Sequence, residues 1–163
     1  MNRPGRYEGE AGAHSNLGGL DQHAESTGGA APGREPHVLV VDDHALNRYL
    51  ARTALARLRW QVAQAGDGRQ ALEMIRAGER YDLVLMDMDM PVLDGLAATR
   101  LIRAWEEEQL RPPLTIIAFS ANVDRAAERQ CLAAGMNGFI AKPTDMVVLP
   151  QLLLQKLRAS RRD

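Results

Sequence analysis

Leu83-Val84-Leu85-Met86-Asp87-Met88-Asp89-Met90-Pro91-Val92-Leu93-Asp94-Gly95 is the stretch on which the fold turns. A continuous aliphatic run that stops abruptly at acids and turn residues reads as a strand buried on both faces. Just beyond it Ala98, Leu101, Ile102 and Trp105 recur at i+3 or i+4, which predicts a helix with one buried stripe. Outward from this strand-turn-helix unit the same texture repeats. The other apolar runs are Val38 to Val41, Val62 to Ala65, Leu114 to Phe119 and Phe139 to Ala141. Leu46, Tyr49, Leu50, Ala54 and Leu58 are expected to form the buried stripe of the first helix, and Gly135 to end the helix around Cys131 and Leu132 by entering the left-handed conformation. Five strands each followed by a helix require a parallel sheet covered on both faces, because right-handed crossovers lay the helices against it. The solidly apolar first, third and fourth runs are expected at its centre, and the Val62/Gln64 alternation of the second at an edge. The fold class that follows is α/β, a doubly wound five-stranded parallel sheet of order 2-1-3-4-5, whose ligand crevice opens at the carboxyl ends of strands one and three.

The flanks carry no comparable pattern. Residues 1–36 are glycine-rich and poor in large aliphatics, so they are expected to be a disordered tail. His14 and His23 lie there without Cys or acidic partners in register, which argues against a metal site. The organised domain is expected over 37–158, with a short tail at 159–163. The 163 residues carry Lys+Arg 20 against Asp+Glu 21, a formal net charge of -1, so no overall basic field favours direct nucleic-acid binding. The N-terminus lacks the apolar stretch of a signal peptide, and nothing approaches the ~18 uninterrupted apolar residues of a membrane span. With a single cysteine, Cys131, these features give a cytoplasmic expectation.

Acids converge where the sheet should open. Val41-Asp42-Asp43 ends strand one and Met86-Asp87-Met88-Asp89 ends strand three, so neighbouring strand ends bring at least three carboxylates together. Two unit charges about 4 Å apart repel by roughly 4 kcal/mol at an effective dielectric of about 20, a large share of the roughly 5 to 15 kcal/mol that stabilises a whole domain. A hard divalent cation resolves the repulsion. Mg²⁺ prefers oxygen ligands and typically takes one or two carboxylates plus phosphate oxygens. Each residue also has a plainer reading: Asp42 or Asp43 could cap the first helix, Asp87 could turn into solvent, and Ser120, at the end of strand four, could cap the next helix. Lys142, at the end of strand five, brings one ammonium to the same end of the sheet, and a cis Lys142-Pro143 bond would aim it inward.

Asp42-Asp43, the LVLMDMDMPVLDG stretch, Ser120 in IIAFSAN and Lys142-Pro143 in GFIAKP together resemble the response-regulator receiver family, over residues 37 to about 158. The specificity lies in the ordered set, not in any one motif. The resemblance implies a flavodoxin-like (βα)5 fold with Asp87 as the nucleophile that accepts a phosphoryl group from phosphohistidine. Asp43 would ligate Mg²⁺ directly, Asp42 mainly through water, and the backbone carbonyl of Asp89 would be another ligand. Lys142 would neutralise the phosphoryl group, Ser120 would hydrogen-bond it, and Phe139 would turn inward with Ser120, remaking the surface of helix four, strand five and helix five. The partners implied are a histidine kinase or a histidine phosphotransfer protein, and the family allows a phosphorylation-dependent dimer. The resemblance further implies an acceptor that would phosphorylate and dephosphorylate itself and would not be a turnover enzyme. VDDHALNR and GMNGFIAKP look closer to hybrid-kinase receivers than to DNA-binding regulators, and few residues follow the last helix to serve as an output domain.

Two departures and two rivals stand beside this reading. Asp89 adds an acid two residues after the nucleophile, and Pro150 would forfeit a hydrogen bond past the first helical turn, so the last helix is expected to start late or bend. Asp87-Met88-Asp89 also looks like the nucleophile and acid of a haloacid-dehalogenase-like phosphatase, although Pro91 and the upstream Asp42-Asp43 argue against its motif order. A receiver that binds partners without phosphorylation is the other alternative.

Overall fold

The computed structural model describes residues 34–122, 124–142 and 144–161. Within them strands and helices alternate as β1 His37–Val41, α1 Ala45–Ala56, β2 Gln61–Ala65, α2 Gly68–Arg76, β3 Leu83–Asp87, α3 Gly95–Glu108, β4 Thr115–Ser120, α4 Arg125–Ala133, β5 Gly138–Ala141 and α5 Leu149–Ser160. All pairings are parallel and the sheet order is β2-β1-β3-β4-β5, as the sequence predicts. The tail expectation for 1–36 lies almost wholly outside the described residues, as do His14, His23 and Pro143 with the conjecture of a cis bond to it.

Because successive strand residues face opposite sides, the sheet feeds two cores. Leu39, Val41, Val84, Met86, Ile116 and Ala118 pack on one face with Ala71 and Leu72 of α2, Ala98 and Ile102 of α3 and Cys131 of α4. Val38, Val40, Leu83, Leu85, Ile117 and Phe119 face the other side, against Ala51 and Leu55 of α1 and Leu149, Leu153 and Leu157 of α5. β1, β3 and β4 are central, and β2 is an edge strand with Gln61 exposed.

The first helix stripe is corrected at every position but Ala54. Ala51, Ala54 and Leu55 face the sheet, whereas Leu46, Tyr49, Leu50 and Leu58 are exposed. Two apolar phases compete along this helix, and the one with small alanines lets the backbone approach the sheet closely. In α3 the reading is half right: Ala98 and Ile102 are buried and Trp105 is half-buried, but Leu101 is exposed. Gly135 does end α4, at φ 96, with its N–H on the Leu132 carbonyl and the Met136 N–H on that of Cys131. Pro150 lies in the first turn of α5, where its missing N–H costs no intrahelical bond.

Candidate functional site

The parallel register brings the ends of β1, β3, β4 and β5 to one edge of the sheet. There the Lys142 ammonium lies 2.8 Å from Asp42 Oδ2 and 3.1 Å from Asp87 Oδ1, so two buried carboxylates from separate strands share one cation. The Lys142 N–H also bonds the Ser120 carbonyl at 2.8 Å, fastening the end of β5 to that of β4. Its ammonium sits 4.9 Å from the Phe119 ring centroid.

Asp42 is held from several sides. Its carboxylate accepts from the His44 N–H at 2.8 Å and from Asn47 Nδ2 at 3.1 and 3.2 Å, and Arg48 donates to its carbonyl at 2.6 Å. Asn47 and Arg48 were missed as site residues by the sequence reading, which took α1 for its apolar stripe alone. Their spacing after Asp42 was the available signal, since one helical turn returns those side chains to the strand end. Asp43 is less enclosed and its Oδ1 contacts His44 Nδ1 at 2.8 Å. Asp42, Asp43 and His44 each present a ligand atom, all within 4.8 Å of one another, a set that leaves out Asp87.

The charges are unevenly compensated. Burial pushes the Asp87 carboxyl above its ordinary range, helped by the neighbouring Asp42 charge, while Lys142 and the Asp89 backbone N–H act the other way. Burial also opposes the Lys142 charge, but hydrogen bonds to Asp42 and Asp87 more than reverse it and hold the ammonium protonated. The hydrogen bond from His44 lowers Asp43 against a smaller effect of burial, and His44 is raised by Asp43 in return.

The plainer readings of the site residues fail locally. The N-caps of α2, α3 and α4 are Asp67, Asp94 and Asp124, each accepting a backbone N–H in its first turn. Ser120 caps nothing: it ends β4, nearly buried, and its Oγ accepts from the Asn122 N–H at 3.1 Å. Asp42 and Asp43 do not cap α1, whose N-cap is His44. Gly95 explains the Asp-Gly step of the motif, because a Cβ there would overlap the Asp87 carbonyl. Beside the acids, Ser120, Asp89, Asn122, Met88, Cys131 and Phe139 line a cavity of about 530 Å³ between α3 and α4.

A family model described as the response regulator receiver domain matches residues 38–154. The chain belongs to that family. It is 38% identical over 130 residues, 78% of its length, to hybrid signal transduction histidine kinase E of Dictyostelium discoideum. It is also 38% identical over 122 residues, 75% of its length, to the sensor protein GacS of Pseudomonas syringae pv. syringae. It spans only 8% and 13% of those two relatives. Among solved structures, the receiver domain of sensor histidine kinase PA1611 from Pseudomonas aeruginosa PAO1, with magnesium coordinated in its active site cleft, superposes with a TM-score of 0.67 at 36% identity, covering 77% of this chain and 99% of that one. The chain is thus a receiver domain of two-component and phosphorelay systems, a phosphoacceptor family whose members pair with histidine kinases or phosphotransfer proteins. The family match decides against the dehalogenase-like expectation for Asp87 and Asp89. The acidic cluster is consistent with Mg²⁺, and no helix among the described residues is long and apolar enough to cross a membrane.

Proposed function

We propose that this receiver, over residues 37–158, takes a phosphoryl group from a phosphohistidine of a histidine kinase or phosphotransfer protein onto Asp87. The observation that carries the proposal is the sharing of the Lys142 ammonium between Asp42 and Asp87 at the carboxyl ends of β1, β3 and β5. Phosphoryl transfer asks a protein mainly for positioning and charge neutralisation. Asp87 supplies the nucleophilic oxygen, held by Lys142 at the end of β3 where the Gly95 turn passes close to its backbone. As the phosphoryl group arrives, Lys142 pairs with one of its oxygens and Ser120 donates to another. Phe139, half-buried on the wall it shares with Ser120, then has the cavity between α3 and α4 to turn into.

The donor set fits a hard divalent ion: three carboxylates, Asp42, Asp43 and Asp87, face a single lysine, and the buried Asp87 charge is under-compensated. Asp43, Asp87 and the Asp89 carbonyl would hold Mg²⁺ directly and Asp42 through water. Bound there, Mg²⁺ supplies neutralisation of the phosphoryl oxygens during transfer. The receiver is read as a cytoplasmic, self-dephosphorylating acceptor with a phosphorylation-dependent partner surface at α4, β5 and α5.

Acetyl phosphate with Mg²⁺ should shift the protein once on a Phos-tag gel, and Asp87→Asn should abolish the shift. A shift that persists in Asp87→Asn removes Asp87 from the role. Unlimited turnover of a small phosphate ester would return the phosphatase reading.

A further inference from the structure

We infer that the free edge of β2 is a self-complementary interface through which two copies of this chain pair, joining their sheets into one. β2 is the outermost strand and is bonded only to β1. Its residues, Gln61-Val62-Ala63-Gln64-Ala65, include no charge and no proline, and they follow β1 in unbroken register without a bulge. Edge strands are ordinarily guarded against pairing by charged side chains, prolines or bulges. This one has none of the three.

The directions of its backbone groups set how a second copy fits. The Gln61 N–H reaches the Pro36 carbonyl at 2.9 Å and the Ala65 carbonyl accepts from the Asp42 N–H at 3.2 Å, both on the β1 side. Because backbone groups alternate in direction along a strand, those of Ala63 also point to β1, and the N–H and C=O of Val62 and Gln64 point outward. Laid antiparallel on itself about a twofold axis through Ala63, the strand sets Val62 opposite Gln64 of the second copy and Gln64 opposite its Val62. Each is then a hydrogen-bonded pair, so both outward N–H groups of each copy find a carbonyl. Ala63 lies on the axis, in the closer non-hydrogen-bonded position, where two alanines leave room.

The flanks complete the match. Arg59 and Asp67 stand two residues before and two residues after the strand, so the same axis brings each Arg59 toward Asp67 of the second copy. Neither is in a salt bridge among the described residues. Arg59 is exposed and holds φ 60 at the turn after α1, where glycine would sit without strain. An arginine is kept there at a cost to the single copy. A positive charge at one end of an uncharged strand and a negative charge at the other is the pattern that recognises its own antiparallel image.

This surface is separate from α4, β5 and α5, since β5 is the opposite edge of the sheet and Asp87 lies on the central β3. Pairing through β2 is therefore independent of the acceptor. The contact is short, so the dimer is weak and reversible.

Sedimentation equilibrium of the purified chain should show an apparent mass that rises with concentration toward twice the monomer value, without any phosphoryl donor and equally in Asp87→Asn. Gln64→Pro removes an outward N–H that no bond within the sheet uses. Arg59→Asp, a residue that tolerates positive φ, sets like charges against Asp67. Both should keep the circular dichroism of the parent and stay monomeric throughout, and Arg59→Asp carries the test if the proline disturbs β2. Ala63→Cys should oxidise in air to a covalent dimer, which the parent, with Cys131 buried, should not. A parent that remains monomeric, or an association that a folded Arg59→Asp does not weaken, overturns the inference. So does an associating parent whose Ala63→Cys variant fails to cross-link, because the axis then lies elsewhere.

Discussion

Asp82 and Asp87 flank the same strand, one residue before β3 and at its last position, and the fold treats their charges in opposite ways. Asp82 is surrounded. Its Oδ2 takes Arg34 and the His37 N–H, both at 2.8 Å, and its Oδ1 takes Arg161 at 3.3 Å, so the carboxylate joins the start of β1 to the residue that follows α5. Buried Glu106 is treated alike, by Arg103 Nη1 and the Leu114 N–H, both at 2.7 Å. Asp87 shares one ammonium with Asp42 and carries a carboxyl raised by burial. The amino end of the sheet uses acids as closed fastenings, and the carboxyl end leaves negative charge unmatched where a cation and a phosphoryl group can enter.

Removing each carboxylate should therefore move stability in opposite directions. Asp82→Ala loses a charge-assisted bond to the His37 N–H and two arginine contacts whose partners are about half exposed, and should cost about 2 kcal/mol in a urea titration. Phosphorylation of Asp87 should survive it. If Asp82→Ala unfolds no more easily than the parent, Asp82 does not fasten the amino end of the sheet.

Asp87→Asn should do the reverse and stabilise the protein by roughly 1 kcal/mol at neutral pH, because a buried and poorly compensated charge becomes a neutral amide. The pH dependence gives the sign. An acid whose folded pKa is raised favours the native state fully below its unfolded value, near 3.8, and loses that contribution as pH rises through the folded value. The advantage of the amide should accordingly be present near neutrality and vanish as pH falls toward and below 3.8. A melting temperature lowered by Asp87→Asn at pH 7 would mean that the Lys142 pair outweighs the burial of charge.

The two ends also differ in how far they could be read from sequence. At the carboxyl end, acids at strand ends together with Ser120 and Lys142 marked the crevice, because topology alone places strand ends side by side. Their convergence needed no knowledge of helix phase. The Asp82 and Arg103 fastenings were invisible, since their partners are 45 or more residues distant for Asp82 and up to 34 for Arg103, on elements whose rotation sequence does not set. The same limit misplaced Leu46, Tyr49 and Leu50: periodicity identified α1 as a helix, while the choice between two apolar phases was made by how closely alanines let it approach the sheet. His44 was quoted in the motif and given no part, because its ring faces Asp43 and not the helix it begins only once the chain is folded.

At the smallest scale the contrast concerns two strained residues. Leu110, at φ 50, closes α3 with its N–H on the Glu107 carbonyl and the Arg111 N–H on that of Glu106, a helix ending that glycine fits without strain. Val92, at φ 71, lies in the loop after Asp87, where the Leu93 carbonyl receives the Gly68 N–H at 3.2 Å. A side chain in this region costs about 1 to 2 kcal/mol, and the greater freedom of glycine in the unfolded chain cancels about 0.5 to 1 of it, so Leu110→Gly and Val92→Gly should each stabilise by about 0.5 kcal/mol. Their effects on chemistry should part. Val92→Gly loosens the turn that aims Asp87 and Asp89, and should slow labelling by acetyl phosphate a few-fold, whereas Leu110→Gly should leave the labelling rate as it is. Equal rates in the two variants would mean that the Val92 strain only turns the chain and plays no part in holding the acceptor.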